Sequence, residues 1–170
     1  MAGIRRQHKK YSRPRKAFDT ERITEENEVV KKYGLKNKKE IWRAEAAVSR
    51  YRDIAKKLIT SSTEEQEAFI SKLVKKGILK EDSQIDDILD MKKEDYLNRR
   101  LQTILFKKGL SKSLKHARQL VTHRFVIIKD RIINVPSYAV DLSEEKGVKL
   151  VALKPKAAPK PVMEDQTNAN

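Results

Sequence analysis

The sequence has no cysteine, three histidines, one tryptophan and five glycines in 170 residues. Without cysteine there are no disulfides, thiolate zinc sites or cysteine nucleophiles, and a reducing compartment fits. His8, His116 and His123 offer little metal chemistry, because the only close pair lies seven residues apart, too far along a helix to share an ion without a third ligand. No metal or cofactor is expected. Long apolar runs are also missing, and the start Met1-Ala2-Gly3-Ile4-Arg5-Arg6 lacks the apolar core of a leader. Neither membrane insertion nor secretion is expected, and the cytoplasm is the expected location. With 38% hydrophobic and 37% charged residues, the chain is apolar-poor for one compact enzyme but suits helices that share a surface with a partner.

What the chain has in excess is positive charge, 39 Lys and Arg against 24 Asp and Glu for a net +15. Self-repulsion of this size calls for a polyanion. Residues 1–20 hold seven cations (Arg5, Arg6, Lys9, Lys10, Arg13, Arg15, Lys16) against Asp19, and residues 97–131 hold ten against Asp130. Everywhere else the signs balance, so two short stretches carry the whole excess. Solubilising charge would be dispersed. One basic run alone is as readily a solvated face, but two beside neutral segments point to nucleic acid.

Residues 1–20 contain Pro14 and almost no apolar periodicity, which predicts an arm that is unfolded when free and orders on RNA. Tyr11 within it can stack on a base or be incidental. Residues 21–96 read as a small helical unit. Its first helix closes at Gly34. The second opens with Asn37 and Glu40 as a capping signal and carries the stripe Ile41, Ala44, Val48, Tyr51, Ala55 and Leu58, with Trp42 as a core or rim anchor. Ser62 with Glu65 opens a third, Gly77 closes it, and Ile85, Ile88 and Leu89 suggest a short fourth.

From residue 97 the chain changes character. Leu97, Leu101, Ile104 and Leu105 predict one helix that leaves Arg99, Arg100 and Lys107 projecting outward. Ser111 or Ser113 caps a second helix with Leu114, Ala117, Leu120 and Val121 inward and Lys115 and Arg118 on another face, beside His116, Gln119 and His123. Phe125 to Ile128, a turn at Lys129-Asp130, and Arg131 to Val135 read as a hairpin, with a return strand near residues 148–153. Residues 154–170 are expected to be a disordered tail. The fold class is therefore α+β, mainly helical.

The order of these elements and their local motifs, Asn98-Arg99-Arg100-Leu101, Lys108-Gly109-Leu110, Ala117-Arg118-Gln119-Leu120-Val121 with His123, and Val135-Pro136-Ser137-Tyr138, resembles the ribosomal S-four RNA-binding module. That module also occurs as an accessory in pseudouridine synthases, tyrosyl-transfer-RNA synthetases and a heat-shock protein, so the flanks decide. The arm Gly3-Ile4-Arg5-Arg6 and the segment Trp42-Arg43-Ala44 make residues 1–153 similar to the ribosomal small-subunit protein four family in its archaeal or eukaryote-like form. Against the bacterial pattern, Arg124 and Asp130 stand where glycine is usual, and the cysteine zinc knuckle of some members is absent, so the helical unit must hold together by packing.

The resemblance implies a structural, non-catalytic binder of small-subunit ribosomal RNA that nucleates assembly of the subunit body, neighbours small-subunit protein five and contributes to decoding accuracy. No small-molecule substrate is expected. From the residues themselves, Arg99, Arg100, Lys112, Lys115, Arg118 and Arg124 are the expected phosphate contacts, with His116, Gln119 and His123 beside them. The competing use of Arg118 is an ion pair with an acid of the helical unit; Gln119 either orders Arg118 or caps a strand, and His123 reads as a packed helix-end histidine. Two rival functions remain open, an accessory subunit of an RNA-modifying enzyme and a helix-pair DNA regulator. Asp86, Asp87 and Asp90 have no partner histidine in sequence and read as a solvated helix face.

Overall fold

The computed structural model describes residues 11–151. Arg5, Arg6, Lys9, Lys10 and the expected tail beyond residue 153 lie outside the described residues. The architecture is α+β and mainly helical, as expected.

α1 (Thr20–Tyr33) begins with Glu21 and ends with Lys31 and Lys32, the polarity a helix dipole favours. It stops at Gly34, whose φ of 58° is left-handed and cheap only for glycine. A Cβ at Gly34 would meet Leu114 Cβ at 2.8 Å, so the same glycine lets this helix end dock closely on the C-terminal half. α2 (Lys38–Leu58) is the hub on which α1, α3 (Thr63–Lys75), α4 (Ile85–Asp90) and α5 (Lys93–Asn98) pack. Its stripe is buried at Ile41, Ala44, Val48 and Ala55, with Ala47 added. One end of α2 closes over Val29, Tyr33, Leu35 and Leu97, the other over Leu73, Ile88 and Met91. Each fully buried Leu or Ile contributes about 1.5–3 kcal/mol relative to exposure.

The stripe from Leu97 to Leu105 does not form one helix. α5 ends at Asn98, and α6 (Leu101–Lys107) starts only after Arg99 and Arg100, with Arg100 extended at ψ 142°. The break has a hydrogen-bonding cause: Leu101 N–H donates to Tyr138 O at 2.8 Å and Val140 N–H to Arg99 O at 3.0 Å, so the 138–140 segment takes groups a continuous helix would have paired internally. Leu97 accordingly joins the core of the helical unit, while Leu101, Ile104 and Leu105 join the next one.

That second core lies between α6, α7 (Leu114–Thr122) and an antiparallel sheet of β1 (Val126–Ile128), β2 (Arg131–Ile132) and β3 (Val148–Leu150) in the order β2-β1-β3. Val126 and Ile128 point inward onto Leu101, Leu105, Ala117 and Val121. α7 starts where expected, the Ser113 hydroxyl accepting the His116 N–H. The hairpin also falls where expected: Lys129 at φ 45° and Asp130 at φ 66° make the left-handed pair of a type I′ turn, closed by the Ile128 to Arg131 pairing. A one-turn helix, α8 (Leu142–Glu145), precedes β3; Asp141 with Glu144, at the spacing of Asn37 with Glu40, marks its start.

Candidate nucleic-acid interface

Two cores must be locked together before a basic face can have a fixed shape, and the lock is made of residues expected to touch RNA. Arg100 is 4% exposed and its guanidinium donates to Glu40 of α2, sixty positions away in sequence. Arg118 reaches the same carboxylate, with Nη2 3.0 Å from Glu40 Oε1. The competing use of Arg118 is thus realised, and Arg100 is corrected from outward phosphate contact to buried ion pair. Glu40 is corrected too: no side-chain cap forms at the start of α2, because its carboxylate is engaged by the two arginines. Burial works to raise the Glu40 pKa, but the hydrogen bond from Arg118 and the charge of Arg100 outweigh it and hold the group below the ordinary carboxylate range.

Two further rivets cross the junction. Arg99 donates to Glu145 Oε2 and to Val140 O, both at 2.8 Å, while its guanidinium lies so close to Gly77 that a Cβ there would meet Cζ at 2.7 Å. It does not project outward either. Gln102, 1% exposed, donates from Nε2 to Gly34 O at 3.0 Å and Leu114 O at 3.1 Å, and its Oε1 faces Arg118 Nη1 at 3.5 Å. The glutamine that orders Arg118 is therefore Gln102; Gln119 is exposed.

Of the exposed cations of residues 97–131, which include Lys107, Lys108, Lys129 and Arg131, three lie on or beside α7: Lys112, Lys115 and Arg124. Lys112 and Lys115 are exposed, and Lys115, Gln119 and His123 follow one another at four-residue spacing along the open side of α7. His123 is exposed, correcting its reading as a packed histidine; its ring lies 6.3 Å from that of Phe125. His116 is half-buried with Nδ1 accepting the Lys112 N–H at 3.3 Å, which fixes the loop before α7. Arg124 is exposed and left-handed at φ 64°, as Asp130 is at φ 66°, so both positions have a glycine-like backbone with other side chains. Arg124→Gly is expected to raise stability by about 1 kcal/mol, read as a higher melting temperature, because an arginine strained in this region is relieved.

At the arm, Arg13, Arg15 and Lys16 are exposed, and Arg22 ties the chain down by donating to Lys16 O and Ala17 O. Tyr11 is half-buried against Trp42, ring centroids 6.1 Å apart, with the Arg43 guanidinium 5.7 Å from its ring centre. Trp42 is the anchor expected, its indole N–H donating to the buried Glu26 at 2.9 Å. Burial pushes the Glu26 pKa up, but bonds from Trp42, Arg22 and Lys38 bring it below its ordinary value.

A cleft of about 470 Å³ lies at the junction, with Lys39, Arg43, Arg50, Tyr96, Arg118 and Ser137 in its walls. Lys39, Arg43 and Arg50 come from the segment whose charges cancel, which is why counting by segment missed them. Their spacing along α2 was the available signal. In the acidic group, Asp87 Oδ2 accepts the Gln84 N–H at 2.8 Å and so caps α4. Among the described residues no three His, Asp or Glu side chains are grouped to hold a metal, and no helix is long and apolar enough to cross a membrane.

A helix pair backed by a small antiparallel sheet, with basic residues along the second helix, defines a class, and a family model described as S4 domain matches residues 99–146. Over most of its length the chain resembles small ribosomal subunit protein uS4 of Methanothermobacter thermautotrophicus, with 44% identity over 87% of this chain and 89% of that protein. The uS4 proteins of Nanoarchaeum equitans (38% identity, 91% and 89% covered) and Korarchaeum cryptofilum (42%, 87% and 91%) are similar in the same way. The chain belongs to the small ribosomal subunit protein uS4 family.

Proposed function

We propose that this chain is a structural constituent of the small ribosomal subunit, binding small-subunit ribosomal RNA without catalysing a reaction. The observation that carries the reading is the exposed set Lys112, Lys115, Gln119, His123 and Arg124, presented on α7 and the residues at its two ends, a helix locked to the helical unit through Glu40 and Gln102. A rigid face of this kind reads the placement of RNA phosphates more than base sequence, because the A-form major groove is too narrow for helix entry. In that role the protein acts in the cytoplasm, nucleates assembly of the subunit body, lies beside small-subunit protein five and contributes to decoding accuracy.

The test is binding at moderate salt to small-subunit ribosomal RNA against unrelated RNA and duplex DNA of equal length. A strong preference for the ribosomal RNA supports the reading. Equal binding to all three would reduce the protein to a non-selective electrostatic binder of nucleic acid, and preference for palindromic duplex would make it a DNA regulator.

A further inference from the structure

We propose that the junction cleft receives one unstacked nucleotide of the bound RNA, and that the strand leading to it runs along α2 between the arm and the basic helix. The inference rests on the RNA-binding reading above and adds where a single strand, as distinct from duplex, is held.

Size comes first. A cleft of about 470 Å³ is of the order of small-molecule sites and has room for one nucleotide. Charge comes next: Lys39, Arg43, Arg50, Arg100 and Arg118 line the walls with Glu40, the one carboxylate, already shared by Arg100 and Arg118. The walls therefore keep a surplus of positive charge that a phosphate offsets. Tyr96 and Pro136 add flat apolar faces, and unpaired bases are commonly held by such stacking surfaces.

Continuity supplies the strand path. Lys39, Arg43 and Arg50 recur at helical spacing along α2, and Lys39, Arg43 and Arg50 are all exposed. Arg50 also lines a second groove with Tyr11, Ser12 and Trp42, so one surface joins the arm to the module. Tyr11 and Ser12 of the arm and Arg100 and Arg118 of the module, some eighty to a hundred residues apart in sequence, thus border the same helix.

To test this, the exposed Ser137 at the cleft is replaced by the photoreactive p-benzoylphenylalanine in the full chain, which is irradiated on small-subunit ribosomal RNA at saturating protein. Crosslinks are expected to concentrate on one unpaired nucleotide. In a Lys39→Glu, Arg43→Glu background they should fall roughly tenfold, with the melting temperature unchanged. Crosslinks on paired nucleotides, spread over many positions, or absent while the protein still prefers ribosomal RNA would overturn the cleft assignment alone. Loss of that preference in the unsubstituted chain would instead remove the functional reading, and the inference with it.

Discussion

Glu40→Ala is expected to destabilise the protein by about 3–5 kcal/mol, seen as a large drop in denaturant midpoint with little change in slope. The carboxylate is the counter-ion of two guanidiniums in different environments. Arg118 is a quarter exposed and can turn to water when its partner is lost. Arg100, 4% exposed between α2 and the start of α6, cannot do so without opening the junction, and most of the cost arises there. If this is right, adding Arg100→Met to Glu40→Ala restores much of the loss, since an apolar side chain in place of a buried ion pair is often neutral. A single-variant loss below about 1 kcal/mol, the range of exposed pairs, would show that the junction is held by packing alone.

The same pair makes stability depend on pH. The Glu40 carboxyl is held below its ordinary value in the folded protein, so the unfolded chain binds its proton at higher pH than the native one. Its contribution is complete above the ordinary carboxylate range and disappears as pH falls through the lower folded value. Glu26 shifts in the same direction and adds to the acid limb. Glu40→Ala should flatten that limb as well as lower it.

The sequence offered an ion pair for Arg118 but neither its acid nor the same use of Arg100, and the reason is range. Helix ends, the Ser113 cap and the left-handed turn at Lys129-Asp130 depend on residues one to four positions apart, and periodicity reports them. The Glu40 pairs with Arg100 and Arg118 span sixty and seventy-eight positions and leave no local trace. A charge count also treats Arg99 and Arg100 like any surface cation, although both are spent inside the molecule. A weaker signal did exist: Glu40 stands four residues before Ala44, in register with the apolar stripe of α2, and Gln102 stands three before Leu105. A polar group in register with a buried stripe needs a partner, and the partner has to come from elsewhere in the fold.

Once the internal arginines are set aside, the exposed set gives the largest functional effect: Lys112→Ala, Lys115→Ala and Arg124→Gly together are expected to weaken binding to small-subunit ribosomal RNA by about a hundredfold. At about 1 kcal/mol for each lost phosphate contact, three contacts sum to roughly that factor. The slope of log affinity against log salt should become shallower by about two to three, one contact's worth for each cation removed. The variant also separates binding from folding. Lys112 and Lys115 are exposed and Arg124→Gly relieves a left-handed arginine, so the melting temperature should hold or rise while affinity falls. Unchanged affinity would move the RNA contact away from α7, to the arm and the face of α2, where Lys39→Glu with Arg43→Glu would then produce the larger loss.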